Sequence, residues 1–199
     1  MFWNEIHHFD QEVTLTINSW NSSLTDPIWQ FFSDKFVWAP MYVAIIALIV
    51  WKLGWKKSLF VVGAIALAFG VGDQISNLVK HAVERIRPVN DDIMQFQGLH
   101  ILETGGGYSF YSAHAANSFA LAFASYIGLK KGLECAQKPK WLKIYGGWMF
   151  FWAFMVSISR VFVGKHYLGD VLVGIIAGCI IGIFFGWAAG KLMKKYLRD

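Results

Sequence analysis

The chain is poor in charge and in cysteine. Only 16% of its 199 residues are charged, while 56% are hydrophobic. An ordinary soluble domain carries about a quarter of its residues as charges, so this composition excludes a typical water-facing surface. The two cysteines, Cys135 and Cys179, lie in a lysine-flanked stretch and in an apolar run. That spacing supports neither a disulfide framework nor a cysteine metal site, and no disulfide is expected. The start, "MFWNEIHHFDQEV", lacks a basic n-region and a continuous apolar core, so it is not read as a cleaved signal peptide.

What is present is apolar and aromatic, with 17 Phe and 10 Trp in a length that fits one domain. Five segments are long and apolar enough to cross a bilayer: about Phe36 to Leu53, Ser58 to Asn77, Tyr111 to Leu129, Leu142 to Ser159 and Leu168 to Gly190. Helices are expected, because lipid offers no partner to open backbone groups. The fold class expected is therefore all-α: an integral membrane helical bundle of about five transmembrane helices, spanning 36–199, with a separate segment, 1–35, before it.

The net charge of +5 could suit nucleic acid, but its distribution points to a membrane. Lys52, Lys56, Lys57, Lys130, Lys131, Lys138, Lys140, Lys143, Lys191, Lys194, Lys195 and Arg198 fall on one face, with Glu134 and Asp199 as its acids. The positive-inside bias puts that face and the C-terminus in the cytoplasm. The opposite face looks outward, to the periplasm if this is the inner membrane of a Gram-negative bacterium. In the first segment, Ile6, Phe9, Val13, Ile17, Trp20 and Leu24 follow three- and four-residue steps. This is an amphipathic helix, either lying on the outer membrane interface or packing on the spans as core. Asp26 before Pro27 reads as a cap and first-turn pair that starts a second short helix.

Three polar clusters meet on the outward face. They are "KHAVERIRP" from Lys80 to Pro88, "YSAH" from Tyr111 to His114, and "SRVFVGKHYLGD" from Ser159 to Asp170. Any single Lys or Arg at a span end can merely snorkel to the headgroups. The convergence of three clusters is what points to a site. Lys80, Arg87 and Arg160 are cations suited to phosphate oxygens, two of them with planar guanidinium groups. His166 and Asp170 are four apart and share a helical face if the last span has begun by His166. A carboxylate on one ring nitrogen leaves the other free to attack. His114 starts the third span behind Ser112 and suits a general acid.

The pattern K-x6-R-P, then P-S-G-H, then S-R-x5-H-x3-D resembles the type 2 phosphatidic acid phosphatase (PAP2) superfamily. The first and third motifs are present at full spacing, as Lys80 to Arg87-Pro88 and Ser159-Arg160 to His166 to Asp170. In the middle one, Tyr111 stands for Pro and Ala113 for Gly, while Ser112 and His114 remain. The resemblance implies a membrane lipid phosphatase of the bacterial branch. His166 is its implied nucleophile and carries the phosphoryl group, Asp170 orients it, and His114 protonates the leaving group. Lys80, Arg87, Arg160, Ser112 and the Ala113 amide are implied to hold the phosphate. No metal or other cofactor is implied. The implied substrates are lipid phosphates or diphosphates: undecaprenyl diphosphate, phosphatidylglycerophosphate, phosphatidic acid or the phosphates of lipid A. Alternatives are a lipid phosphotransferase, a vanadate-dependent haloperoxidase, and a lipid-phosphate binding or transport protein without catalysis. Membrane lipids are the expected partners, nucleic acid is not, and monomer and weak dimer both stay open.

Other features carry weaker expectations. Asp73, Asn77, Lys80 and Glu84 form a row that either positions Lys80 or a neighbouring helix, or is a plain structural network. Gly174, Gly178, Gly182, Gly186 and Gly190 recur every fourth residue and let backbones approach closely, within the bundle or in a dimer. The long stretch from Val89 to Phe110 reads as a lid or binding loop. Arg85 has even standing as a substrate contact. Lys165, His100 and the pair His7-His8 read as surface residues.

Overall fold

The computed structural model describes residues 2–133 and 139–197, and every regular element among them is helical. The expectations for Glu134, Cys135, Lys138, Arg198 and Asp199 fall outside the described residues. The helices are α1 (Phe2–Asn18), α2 (Asp26–Ser33), α3 (Ala39–Val83), α4 (Asp92–Phe96), α5 (Ala113–Gly132), α6 (Lys140–Phe162) and α7 (Leu168–Tyr196). A single 3-10 turn, Pro88–Asn90, precedes α4.

The first two expected spans are the two arms of α3. Gly54 interrupts them with φ 72° and ψ 165°, a left-handed value open to glycine at little cost. The Ser58 hydroxyl donates to the carbonyls of Gly54 and Ile49, at 2.6 and 3.2 Å. In a straight helix, residues nine apart stand about 13.5 Å along the axis, so this contact requires the chain to double back at Gly54. Ile45 and Ile49 of the first arm and Val61 and Ile65 of the second then share one core with α5 and α6.

Helices α3, α6 and α7 are long and apolar enough to cross a membrane. Helix α5 is not among them, and its surroundings explain why. It packs against α3, α6 and α7, and its buried positions are mostly Ala, Ser and Gly. A helix enclosed by other helices needs small side chains for close approach, not an apolar coat for lipid. The glycine ridge of α7 fits into this helix. A Cβ on Gly174 would lie 2.6 Å from the Ser112 carbonyl, and one on Gly182 2.7 Å from that of Ala120. The ridge is thus filled from within the bundle by α5.

Helix α1 turns its polar stripe inward. Gln11, Thr14 and Asn18 lie three and four residues apart and are 4%, 0% and 1% exposed, whereas Phe9 is 67% exposed. Asn18 Nδ2 donates to the carbonyls of Val161 and Phe162, both at 3.1 Å, and of His100 at 3.0 Å. These α6 carbonyls end the helix without intrahelical donors, and Asn18 supplies one. The helix stops at Asn18, so Trp20 and Leu24 belong to the connection that follows. Helix α2 starts at Asp26-Pro27, but Asp26 is its first residue rather than its cap: Thr25 holds the cap position, without a side-chain cap bond.

Candidate active site

The turn between α6 and α7, residues 163–167, brings the polar clusters together. Gly164 has φ 80°, and the amides of Lys165 and His166 both return to the Arg160 carbonyl at 3.1 Å. Helix α7 starts at Leu168, so His166 precedes it and the pair is not formed by helical periodicity. Asp170 instead reaches back from the first turn. Its Oδ2 accepts the Tyr167 amide at 3.0 Å, the carboxylate half of a capping box, and stands 3.5 Å from His166 Nδ1. The other ring nitrogen, Nε2, faces Arg87 Nη1 at 3.4 Å. His166 is 2% exposed, and burial lowers its pKa to about 4, outweighing Asp170, which raises it. The imidazole is therefore neutral at physiological pH, with one nitrogen toward a carboxylate and the other toward a guanidinium.

Asp170 is 0% exposed and ionic, so it needs partners. Arg85 Nη1 donates to its Oδ1 at 2.7 Å, and the Ser109 hydroxyl donates to its Oδ2. Ser109 also donates its amide to the Arg85 carbonyl at 2.7 Å. Arg85 is spent on this network rather than left free for a substrate. Its Nη2 donates to Asp10 Oδ2 at 2.8 Å and meets His7 Nδ1 at 3.1 Å, and its guanidinium lies 3.7 Å over the Tyr167 ring. His7 is thereby drawn off the surface, unlike His8 and His100, which stay exposed.

Arg160 is held differently. It is 3% exposed and donates to the Ser33 carbonyl at 3.3 Å and to the Ser33 hydroxyl. Its Nη1 stands 3.5 Å from Glu103 Oε2, and Lys165 Nζ 3.3 Å from the same oxygen. Its Nε has no partner among the described residues. The long stretch from Val89 to Phe110 thus delivers a carboxylate onto two cations of the site, and Lys165 is one of them rather than a bystander.

His114 sits where two chambers meet. One, of about 380 Å³, is bounded by the polar side chains of Ser33, Lys35, Glu103, Arg160 and Lys165 together with Phe36. The other, of about 310 Å³, is walled by Trp38, Tyr42, Phe69, Trp152 and the Asp73 side chain. It draws on both arms of α3 and on α5 and α6. His114 lies within the electrostatic reach of Arg160, His166, Lys35 and Lys80. Lys80 has Arg87, Asp73, Asp170 and Arg160 around it. Ser112 caps α5, its hydroxyl accepting the Ala115 amide at 3.4 Å, and its own amide donates to the Asp170 carbonyl at 3.1 Å. Ala113 is the first helical residue, and its φ is not positive, so alanine replaces glycine there without left-handed strain. Asp73 accepts from Asn117 Nδ2 at 2.8 Å and so ties α3 to α5, while Glu84 accepts from the Tyr108 hydroxyl at 2.8 Å.

Asp10, Ser33, Lys35, Glu103 and Ser109 carry no signal in the sequence motifs. Each arrives from a segment distant in the chain. Only Arg85 was visible, beside a motif position.

The chain and its fold are similar to known proteins. Residues 57–194 match the pattern of the PAP2 superfamily. A protein of Bacteroides thetaiotaomicron named Lipid A 4'-phosphatase is 36% identical over 197 residues, 96% of this chain and 81% of that one. One of the same name from Porphyromonas gingivalis is 29% identical over 178 residues, 88% and 70% of the two chains. The fold is similar to that of a transmembrane PAP2 type phosphatidylglycerolphosphate phosphatase from Bacillus subtilis. The TM-score is 0.75 at 21% identity, covering 97% of this chain and 90% of that one. Aquifex aeolicus LpxE gives 0.62 at 21% identity, covering 87% and 92%. An all-helical bundle with apolar helices, matching the family from residue 57 to residue 194, belongs to the PAP2 superfamily, as a membrane lipid phosphatase.

Proposed function

We propose that this protein removes a phosphate from a saccharide-headed membrane lipid of the lipid A type, through a phosphohistidine intermediate. The observation that carries this reading is His166 held neutral between Asp170 at 3.5 Å and Arg87 at 3.4 Å. His166 Nε2 attacks phosphorus, Asp170 steadies the charge that develops on the ring, and Arg87 draws toward the phosphate oxygens. Arg160, Lys80, Ser112 and the Ala113 amide hold the remaining oxygens. His114 gives its proton to the leaving oxygen, and a water then releases phosphate from His166.

The two chambers fit a substrate with a charged end and a bulky body, the phosphate on the Arg160 side and the body on the aromatic side. The lipid A choice rests on the names of the two relatives above. In this reading the two arms of α3, with α5, α6 and α7, make five crossings. The site faces outward from the inner membrane of a bacterium, with the C-terminus in the cytoplasm, and Ile6 and Phe9 of α1 face the lipid interface.

The test is phosphate release by the purified protein, with EDTA present. It uses lipid A 4'-phosphate, phosphatidylglycerophosphate, phosphatidic acid and undecaprenyl diphosphate. Release from the saccharide lipid above the others, abolished in His166→Ala, is expected. Equal release from all four overturns the substrate assignment. Undiminished release by His166→Ala overturns the mechanism.

A further inference from the structure

The element that braces the catalytic turn comes largely from outside the matched 57–194 region. Helix α1 and the connection that follows it reach both ends of the turn. Asn18 and Asn21 donate to the last carbonyls of α6, Asn21 to that of Phe162 at 2.7 Å. Thr14 Oγ accepts the Leu168 amide at 2.9 Å and Asp10 Oδ1 the Gly169 amide at 2.8 Å, satisfying the opening N–H groups of α7. The second Asp10 oxygen, Oδ2, holds Arg85, which holds Asp170. The chain of contacts runs Asp10, Arg85, Asp170, His166, and each of the first three links is at least half buried or more.

We propose that Arg85, anchored by Asp10 of α1, is a positioning residue for phosphoryl transfer: it balances the Asp170 charge and aims that carboxylate at His166, so that the imidazole stays neutral and correctly turned. The proposal rests on the reading of His166 as nucleophile. The charge logic is direct. Asp170 has no cation in hydrogen-bond contact other than Arg85 among the described residues. Burial opposes the charge on Arg85, yet Asp170 and Asp10 outweigh it and hold its pKa above the ordinary value. The remaining charged groups near His166 are Arg160 of α6 and Arg87, with His114 of α5 on the far side. His7 of α1 completes the set around Arg85. With Arg85 removed, Asp170 is left with His166 as its nearest cation-forming group, and protonation of that ring becomes easier.

The test compares Arg85→Gln, Arg85→Lys and Asp10→Asn in the full chain in lipid nanodiscs. Two readouts are taken: the kcat and KM of phosphate release, and the titration of the His166 ring by NMR without substrate, assigned with His166→Gln. For Arg85→Gln, kcat is expected to fall about 100-fold with KM within about threefold, the pattern of a lost transition-state interaction. The His166 pKa is expected to rise by about one unit or more as the counter-charge to Asp170 disappears. Arg85→Lys restores the titration but only part of kcat, because an ammonium keeps the charge and loses the two-pronged geometry. Asp10→Asn changes both readouts in the same direction by a smaller amount, about tenfold in kcat. A raised KM at unchanged kcat would make Arg85 a substrate ligand and overturn the proposal. So would an unmoved His166 titration with Lys no better than Gln, which marks a merely structural role. A wild type that releases no phosphate defeats the phosphatase reading instead, and the substrate-free titration still judges Arg85 on its own.

Discussion

The two flanks of the turn that carries His166 are built on opposite plans. On the α7 side, Asp170 is enclosed by donors: Arg85, Ser109, the Tyr167 amide and, more distantly, His166. Every one of them belongs to the frame of the protein. On the α6 side, Arg160 faces Ser33 and the carboxylate of Glu103, and its Nε has no partner among the described residues. A buried carboxylate with all its donors in place has nothing to gain from a new ligand. A buried guanidinium whose anion comes from a loop has room for exchange, because a phosphate brings more oxygens to it than one glutamate does. The contrast separates what orients the nucleophile from what receives the substrate.

The strongest way to break this contrast is on the fixed side. Asp170→Asn keeps the shape but removes the charge that both Arg85 and His166 face. We expect kcat to fall by about 10³-fold or more with little change in KM, as for other carboxylates that orient a catalytic histidine. Steady-state kinetics on the preferred lipid would measure it, and a loss confined to KM would contradict the assignment. On the receiving side, Arg160→Lys keeps the charge and loses the planar geometry. The expected cost is about 10²-fold in kcat/KM, divided between binding and turnover. An effect on kcat alone would place Arg160 with the orienting group instead.

Glu103→Gln acts in the other direction and is smaller. If the loop carboxylate competes with phosphate for Arg160 and Lys165, removing its charge raises the fraction of the protein ready to bind. KM should fall about three- to tenfold at constant kcat, the factor by which a competing state lowers apparent affinity. A higher KM would show that Glu103 holds the substrate rather than its place.

How much of this was legible in the sequence depended on distance along the chain. The motif residues His166, Asp170, Arg160, Lys80, Arg87, Ser112 and His114 announced themselves by type and spacing. The apolar segments marked where α3, α5, α6 and α7 lie, although Gly54 is what lets two of them form one broken α3. The partners were hidden. Asp10 lies in a segment read as an amphipathic helix, and nothing in its neighbourhood says that it reaches Arg85, 75 residues later. Glu103 lay in a loop without periodicity. The polar stripe of α1 was misleading for a physical reason: its carbonyl-capping and amide-capping partners are helix ends, and open backbone groups leave no mark in a hydrophobic pattern. The helical pairing of His166 with Asp170 was expected on the right residues by the wrong route, since the contact depends on a capping box.

The smallest expected effect concerns pH, and it distinguishes a buried neutral imidazole from an exposed one. The His166 pKa lies at about 4 in the folded protein, against an ordinary 6.5. A lowered value means that the unfolded chain binds the proton more readily. The stability that His166 contributes is therefore complete above about pH 6.5 and drains away as the pH falls toward 4. Activity follows the same sign, because only the neutral ring attacks: its acid limb should sit below that of an unshifted histidine. Thermal unfolding in nanodiscs between pH 4 and pH 7 measures the first, with His166→Gln as the comparison. The wild type should lose more of its unfolding temperature on acidification than the variant does, by a few degrees for a chain of this size. Equal losses would mean that His166 titrates as it does in water, and the closed arrangement of the Asp170 flank would then have to open in the resting protein.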